Sequence, residues 1–88
     1  MTKFVVHTDV LVKDLNPFGM ASTVPKMISD AKLNNIAFKA AYPCALSICH
    51  CVKDRKVVCE FDSIDESTVR SALTTIGLPA TAILAKKN

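Results

Sequence analysis

The chain has 88 residues, half of them apolar, and a formal net charge of +3. This length supports one hydrophobic core, so we expect a single domain over residues 1–88, just above the size at which small domains usually need disulfides or a metal. Its eleven basic side chains are spread along the chain. That distribution excludes the dense cationic patch of a nucleic-acid-binding protein.

The N-terminal segment is too polar for a membrane span or a secretion signal. Its apolar run is interrupted by His7, Thr8 and Asp9, whereas a span needs ~20 apolar residues and a signal peptide an unbroken core of ~7–15. We therefore expect a cytoplasmic protein that binds no membrane. Thiols stay reduced in that compartment, so the cysteines predict buried small side chains, metal ligands or redox groups rather than a disulfide framework.

Strand one is predicted over residues 3–12. The valine-rich run alternates, with Phe4 and Val6 on one face and His7 and Asp9 on the other. The first face is the more apolar, so we expect it to pack against helices and the second to lie on the open face of a sheet.

Helix one is predicted over residues 22–34. Asn-Pro-Phe-Gly at 16–19 is typical of a turn, so the helix is expected to begin after it, with Ser22 or Thr23 as the cap. Apolar side chains then recur at helical spacing: Val24, Met27, Ile28 and Ala31.

The middle of the chain predicts a β-hairpin. Residues 45–52 and 56–61 are apolar runs, strands two and three, which the polar turn 53–55 can join. Residues 36–43 are ambiguous, because they fit either an extended lead-in or a short strand that Pro43 stops.

The hairpin register determines which side chains meet. If Val52 pairs with Val57, His50 lies opposite Cys59 in or near the core. The same register places three side chains on the open face: Cys49, Cys51 and Glu60.

Helix two, over residues 64–76, has the clearest signals. Ser63 and Glu66 form a capping box, and Gly77 suits the left-handed position that ends a helix. Four apolar side chains are predicted to face the core: Val69, Ala72, Leu73 and Ile76. Residues 80–85 then form strand four.

The predicted order β-α-β-β-α-β is the ferredoxin-like α+β arrangement, an antiparallel sheet with both helices on one face. Many unrelated activities share this fold, so function has to be argued from a site.

Four cysteines within sixteen residues are the most reactive feature of the chain: Cys44, Cys49, Cys51 and Cys59, with His50 among them. In one interpretation Cys44 and Cys59 are buried small side chains and His50 is a core histidine. In another, thiolates and imidazoles form a soft-metal site. A redox dithiol and a CxxxxCH haem attachment are two further alternatives. Paired CxxC knuckles, the strong zinc signature, are absent from the sequence.

The C-terminal half carries a family resemblance in three short motifs: Cys59-Glu60-Phe61-Asp62-Ser63 running into Asp65-Glu66, then Val69-Arg70, then Gly77-Leu78-Pro79 with Ile83. They resemble a family of small ferredoxin-like proteins described as nickel-responsive or of unknown function. Phe4-Val5-Val6-His7 is similar to the family's first strand, where an apolar run ends in histidine. The helix histidines of its metal-associated members are replaced here by Met27, Ile28, Ala72 and Ile76.

The resemblance implies a small transition-metal-binding protein with nickel as its metal, and the thiolate and imidazole donors would also suit zinc or copper(I). Candidate metal ligands are His7, which matches by position, and the cluster Cys49, His50 and Cys51. The alternative hypothesis is a dimeric ferredoxin-like module or small enzyme without metal, whose pocket for an unknown small molecule would lie between sheet and helices or between subunits. No catalytic triad, phosphate loop or carboxylate pair appears in the sequence, so we favour a protein that is not an enzyme.

We also expect a homodimer, formed through the open sheet face or an edge strand. An antiparallel sheet with helices on one side leaves its other side to water or to a partner.

Overall fold

The computed structural model describes residues 1–45 and 51–86, and it confirms the predicted ferredoxin-like α+β fold. Its elements, in chain order, are β1 (Thr2–Leu11), α1 (Pro17–Asp30), β2 (Ile36–Pro43), a 3-10 turn (Val52–Asp54), β3 (Lys56–Ser63), α2 (Glu66–Ile76) and β4 (Ala80–Lys86). The strands form one antiparallel sheet in the order β2-β3-β1-β4. Among residues 1–45 and 51–86, no helix is long and apolar enough to cross a membrane.

Both helices bury their apolar stripes against one face of this sheet. Phe4 and Val6 of β1 and Phe61 of β3 belong to the same buried cluster as Val24 of α1 and Leu73 of α2. The alternation of β1 predicted this face correctly. The opposite face of the sheet is the open face.

Helix α1 begins five residues before the predicted start. Asn16 is the N-cap, its side chain accepting a hydrogen bond from the Gly19 amide at 2.8 Å, and Pro17 occupies the first turn. The segment 16–19, interpreted from sequence as a turn, can equally begin a helix, because a proline at the first helical position loses no intrahelical hydrogen bond. The earlier start changes the buried stripe to Met20, Val24 and Ile28. Met27, a predicted core residue, is 41% exposed.

The predicted hairpin of 45–52 with 56–61 is wrong. The partner of β3 is the ambiguous stretch, β2, and the connection between the two strands runs from Cys44 to Arg55. Cys51 to Asp54 form a 3-10 turn and its cap rather than a strand. Residues 46–50 of the predicted strand lie outside the described residues.

The strand pairing differs accordingly. Val58 lies opposite Tyr42, and Cys59 lies opposite Ala41 rather than His50. Pro43 ends β2 without breaking it, because the alternation of the ladder turns its nitrogen toward the free edge, where no hydrogen bond is lost. The next residue, Cys44, resumes the ladder by donating its amide to the Lys56 carbonyl at 2.8 Å.

Helix α2 is capped by Asp65, not by Ser63. The Asp65 carboxylate accepts from the Thr68 amide at 2.7 Å. Ser63 instead remains in β3, where it is buried and donates its hydroxyl to the Asn35 carbonyl at 2.8 Å. The predicted end is confirmed, since Gly77 adopts the left-handed conformation (φ 74°) at the C-terminus of α2.

Leu73→Ala should destabilise the fold. Leu73 is buried between α2 and the sheet, and removing a buried leucine side chain costs ~2–5 kcal/mol. Urea denaturation measures the free energy of unfolding. The matched control on the same helix is the exposed Ser71→Ala, expected within about 0.5 kcal/mol of wild type. Equal effects for the two variants would contradict the assigned core face.

Candidate functional site

The structure describes two of the four predicted metal ligands. His7 lies on β1, and Cys51 immediately precedes the 3-10 turn. Cys49 and His50 lie outside the described residues. The geometry of the site is therefore built from His7, Cys51 and the side chains around them.

His7 occupies the open face, as predicted. It pairs with Val58 of β3 on one side and with Ala82 of β4 on the other. Its side chain is half-buried. The imidazole is thus reachable from solvent, with an apolar neighbour on each adjoining strand.

Cys51 is exposed, but its predicted place on a strand is wrong. The 3-10 turn that follows it is tied to the end of β1, because the Val12 amide donates to Arg55 at 2.9 Å and the Lys13 amide donates to Lys53 at 3.1 Å. Cys51 therefore belongs to the surface connection between β2 and β3. The sheet does not hold it beside Glu60 as the hairpin register required.

Cys59 is a structural thiol, as one of the sequence interpretations held. It is fully buried, with its Sγ 3.0 Å from Met20 Sδ. Burial raises the pKa of this thiol to about 12, because a thiolate loses its hydration in the core. Cys59 is protonated at neutral pH and takes no part in thiolate chemistry.

Cys44 is a candidate that the sequence reasoning missed. It was expected to be a buried small side chain, but it is half-exposed and follows directly on β2. It lies two positions beyond Tyr42, which points to the open face. Extending the strand 36–43 with a period of two would have placed Cys44 on that face.

A polar network on the open face joins strands β1, β2 and β3. The Tyr42 hydroxyl of β2 donates to Glu60 Oε2 of β3 at 2.7 Å, and the Lys3 ammonium of β1 lies 3.4 Å from Glu60 Oε1. The hydrogen bond from Tyr42, followed by the interaction with Lys3, lowers the pKa of Glu60. Both carboxylate oxygens are thus engaged within the protein, and Glu60 joins the three strands of the open face.

Val58 shows that this face is not bare. It projects between His7 and Tyr42, yet it is only 2% exposed. Val58 is therefore a buried apolar position on the open face.

No three His, Cys, Asp or Glu side chains among residues 1–45 and 51–86 converge on a position where an ion could bind. The described part of the chain supplies separate donors: one imidazole on the sheet and a thiol at each end of the connection. A complete site would need donors from the rest of that connection.

The interface between the sheet and helix α1 is packed around Cys59, one of the places where the alternative hypothesis would put a pocket. Cys59 is packed against Met20, and Met27 faces outward.

No protein-family model, curated protein or solved structure matches the chain. The resemblance to the nickel-responsive family therefore stays a prediction from the motifs.

Tyr42, the sole tyrosine, should titrate abnormally. Partial burial, followed by its hydrogen bond to Glu60, raises the pKa of Tyr42 to about 12. Because the folded-state pKa exceeds the unfolded value of ~10, the stability contributed by this phenol is complete below about pH 10 and lost as the pH rises toward about 12. Ultraviolet titration of the phenolate measures the midpoint. Glu60→Gln should lower it, and a wild-type midpoint near the unfolded value would contradict the network.

Cys51 and Cys59 should differ in their rate of alkylation. Iodoacetamide applied to the native, reduced protein is expected to modify Cys51, which is exposed, and to leave Cys59, which is buried. Peptide mass spectrometry assigns each modification. After unfolding in denaturant both thiols should react, which controls for peptide detection. Equal native rates would show that the core around Met20 is open.

Proposed function

We propose that the protein binds a soft or borderline transition metal, nickel by the resemblance and otherwise zinc or copper(I). The supporting observation is the difference in solvent exposure among the described cysteines. Cys59 is buried in the core, whereas Cys44 is half-exposed and Cys51 is exposed, at the two ends of the segment 44–51.

This segment concentrates soft donors. Cys44, Cys49, His50 and Cys51 fall within eight consecutive residues, and thiolate and imidazole are the ligands that suit nickel, zinc and copper(I). The Cys44 amide is fixed to β3 at Lys56, and residues 53–55 are fixed to β1. Both ends of the segment are thus held by the sheet, which lowers the entropy cost of gathering its donors around one ion.

His7 is the candidate ligand that the sheet itself provides. Its imidazole is half-buried on the open face, and imidazole nitrogens are common metal ligands. In this proposal the connection supplies the thiolates and His7 supplies a rigid donor.

A small-molecule-binding module without metal is the second candidate. It is favoured by a groove of about 340 Å³ beside α2, whose lining includes Asn34, Ser67 and Ser71. Its hydroxyl and amide groups suit a polar ligand. The two candidates differ in location, because metal would shift the NMR signals of Cys44 and Cys51, whereas a ligand in the groove would shift those of Ser67 and Ser71.

Calorimetric titration of reduced, metal-free protein with Ni²⁺, Zn²⁺ and copper(I) tests the metal proposal. We expect saturable binding of at least one ion. Cys49→Ser/Cys51→Ser and His7→Ala should each weaken it by at least ~10-fold, about 1.4 kcal/mol, since each removes a donor.

The matched control is Cys59→Ala, which removes a cysteine that the fold buries. It should retain metal affinity even though it loses core packing. Dissociation constants weaker than about 100 μM for all three ions, near −5.5 kcal/mol, would contradict metal binding. Tight binding that is unchanged in both ligand variants would keep the metal and reject these ligands.

A further inference from the structure

Strand β4 leaves one edge of the sheet open. Within residues 1–45 and 51–86 it pairs with β1 alone, and every residue of it except Ile83 is exposed, with Leu84 at 54%. No charged residue interrupts the strand before Lys86. Long apolar edges of this kind are templates for pairing with another strand.

The ladder shows which backbone groups of β4 are free. The Asp9 amide donates to the Pro79 carbonyl at 2.9 Å, and the His7 carbonyl accepts from the Thr81 hydroxyl at 3.0 Å. Odd-numbered β1 residues thus direct their backbone groups toward β4. Hydrogen bonding alternates from residue to residue along an antiparallel ladder, so the backbone amides and carbonyls of Ala82 and Leu84 point toward β1. The amides and carbonyls of Ile83 and Ala85 therefore point away from the sheet.

A groove runs along this edge on the helix side. It has a volume of about 410 Å³ and lies between α2 and β4. Leu73, Leu78 and Ile83 provide apolar walls, and Arg70 and Thr74 line it from α2. A strand added to β4 would place alternate side chains over this groove, as in strand-addition recognition.

The other sheet edge is protected. Strand β2 ends in Pro43, and its register shifts between Phe38 and Ala40, where the exposed Lys39 is the extra residue. Proline, a bulge and a lysine are all devices that prevent edge pairing. The β4 edge combines free backbone groups with an adjoining groove that apolar side chains help to line.

We propose that β4 is a dimerisation strand and that its partner is the β4 strand of a second copy, antiparallel, with the twofold axis passing between the two Ile83 residues. Each Ile83 would donate its amide to the carbonyl of the other and place its side chain over the other copy's groove. Each groove is lined by Ile83 of its own copy and would be partly covered by Ile83 of the other copy. The interface is thereby self-complementary, as a closed twofold contact requires.

Charge selects the antiparallel arrangement. Lys86 ends β4 and lies opposite Lys3 of β1, so parallel pairing would bring like charges from both copies together. Pairing about Ile83 instead separates the two Lys86 residues by six strand positions, roughly 20 Å. This inference does not depend on metal binding.

Size-exclusion chromatography with light scattering, from micromolar to millimolar concentration, tests the proposal. The wild type should approach twice the chain mass of 9.5 kDa. Ala85→Pro removes an outward amide that makes no bond to β1, and its mass should fall to that of one chain. Ala85→Val, which keeps the amide, is the matched control and should remain dimeric. Circular dichroism establishes that the proline variant is folded.

Crosslinking tests the register independently of the proline variant. In a background with Cys44, Cys49 and Cys51 replaced by serine, Ile83→Cys should form an interchain disulfide, because directly bonded residues lie ~5.5 Å apart at Cα. Ala82→Cys should not, since its copies would be about 8 Å apart, beyond disulfide reach. A monomer at every concentration, or a dimer that survives Ala85→Pro without crosslinking at residue 83, would overturn the proposal.

Discussion

Strand β3 is the constraint on which the domain depends. It pairs with β1 on one side and with β2 on the other, and its helix-facing side chains pack into the core. Its fully buried Phe61 meets Phe38 of β2 edge to face, with ring centroids 5.6 Å apart, a favoured aromatic geometry. With β3 fixed by two ladders and a packed face, the other elements have little freedom of register.

This central position also divides the chemistry of the chain. Helix-facing residues of β3 are shut away from water, so Cys59 behaves as a small apolar side chain. Its open-face neighbour Glu60 is held by Tyr42 and Lys3 and contributes to sheet cohesion. Among the described residues, the candidate ligands are therefore Cys44 and Cys51 in the connection that enters β3 and His7 on the open face of β1.

The sequence predicted the fold class and the stronger elements because local signals and burial agreed there. In α2, the helical spacing of apolar residues and the terminal Gly77 point to the same structure. The hairpin was mispredicted because residues 45–52 and 36–43 are both apolar and strand-like, and only pairing with β3 distinguishes them. Pro43 favoured the wrong segment as the partner of β3. A proline is tolerated at the end of an edge strand when its nitrogen points away from the neighbouring strand, and the sequence alone does not show which way that nitrogen points.

The candidate site was predictable only in part for the same reason. His7 follows from the alternation of β1 and needs no partner strand to be placed. The positions of Cys44 and Cys51 depend on where β2 ends, which is a property of tertiary pairing.

The anchoring of the β2–β3 connection has a thermodynamic consequence. Backbone hydrogen bonds hold Cys44 to Lys56 and Val12 to Arg55 beside the ends of the strands, and the buried cluster includes none of the described candidate ligands, His7, Cys44 and Cys51. A bound ion would thus act on a domain whose core closes without it. Such a protein can exchange its ion without passing through the unfolded state, unlike small zinc domains in which ligation and folding are one equilibrium.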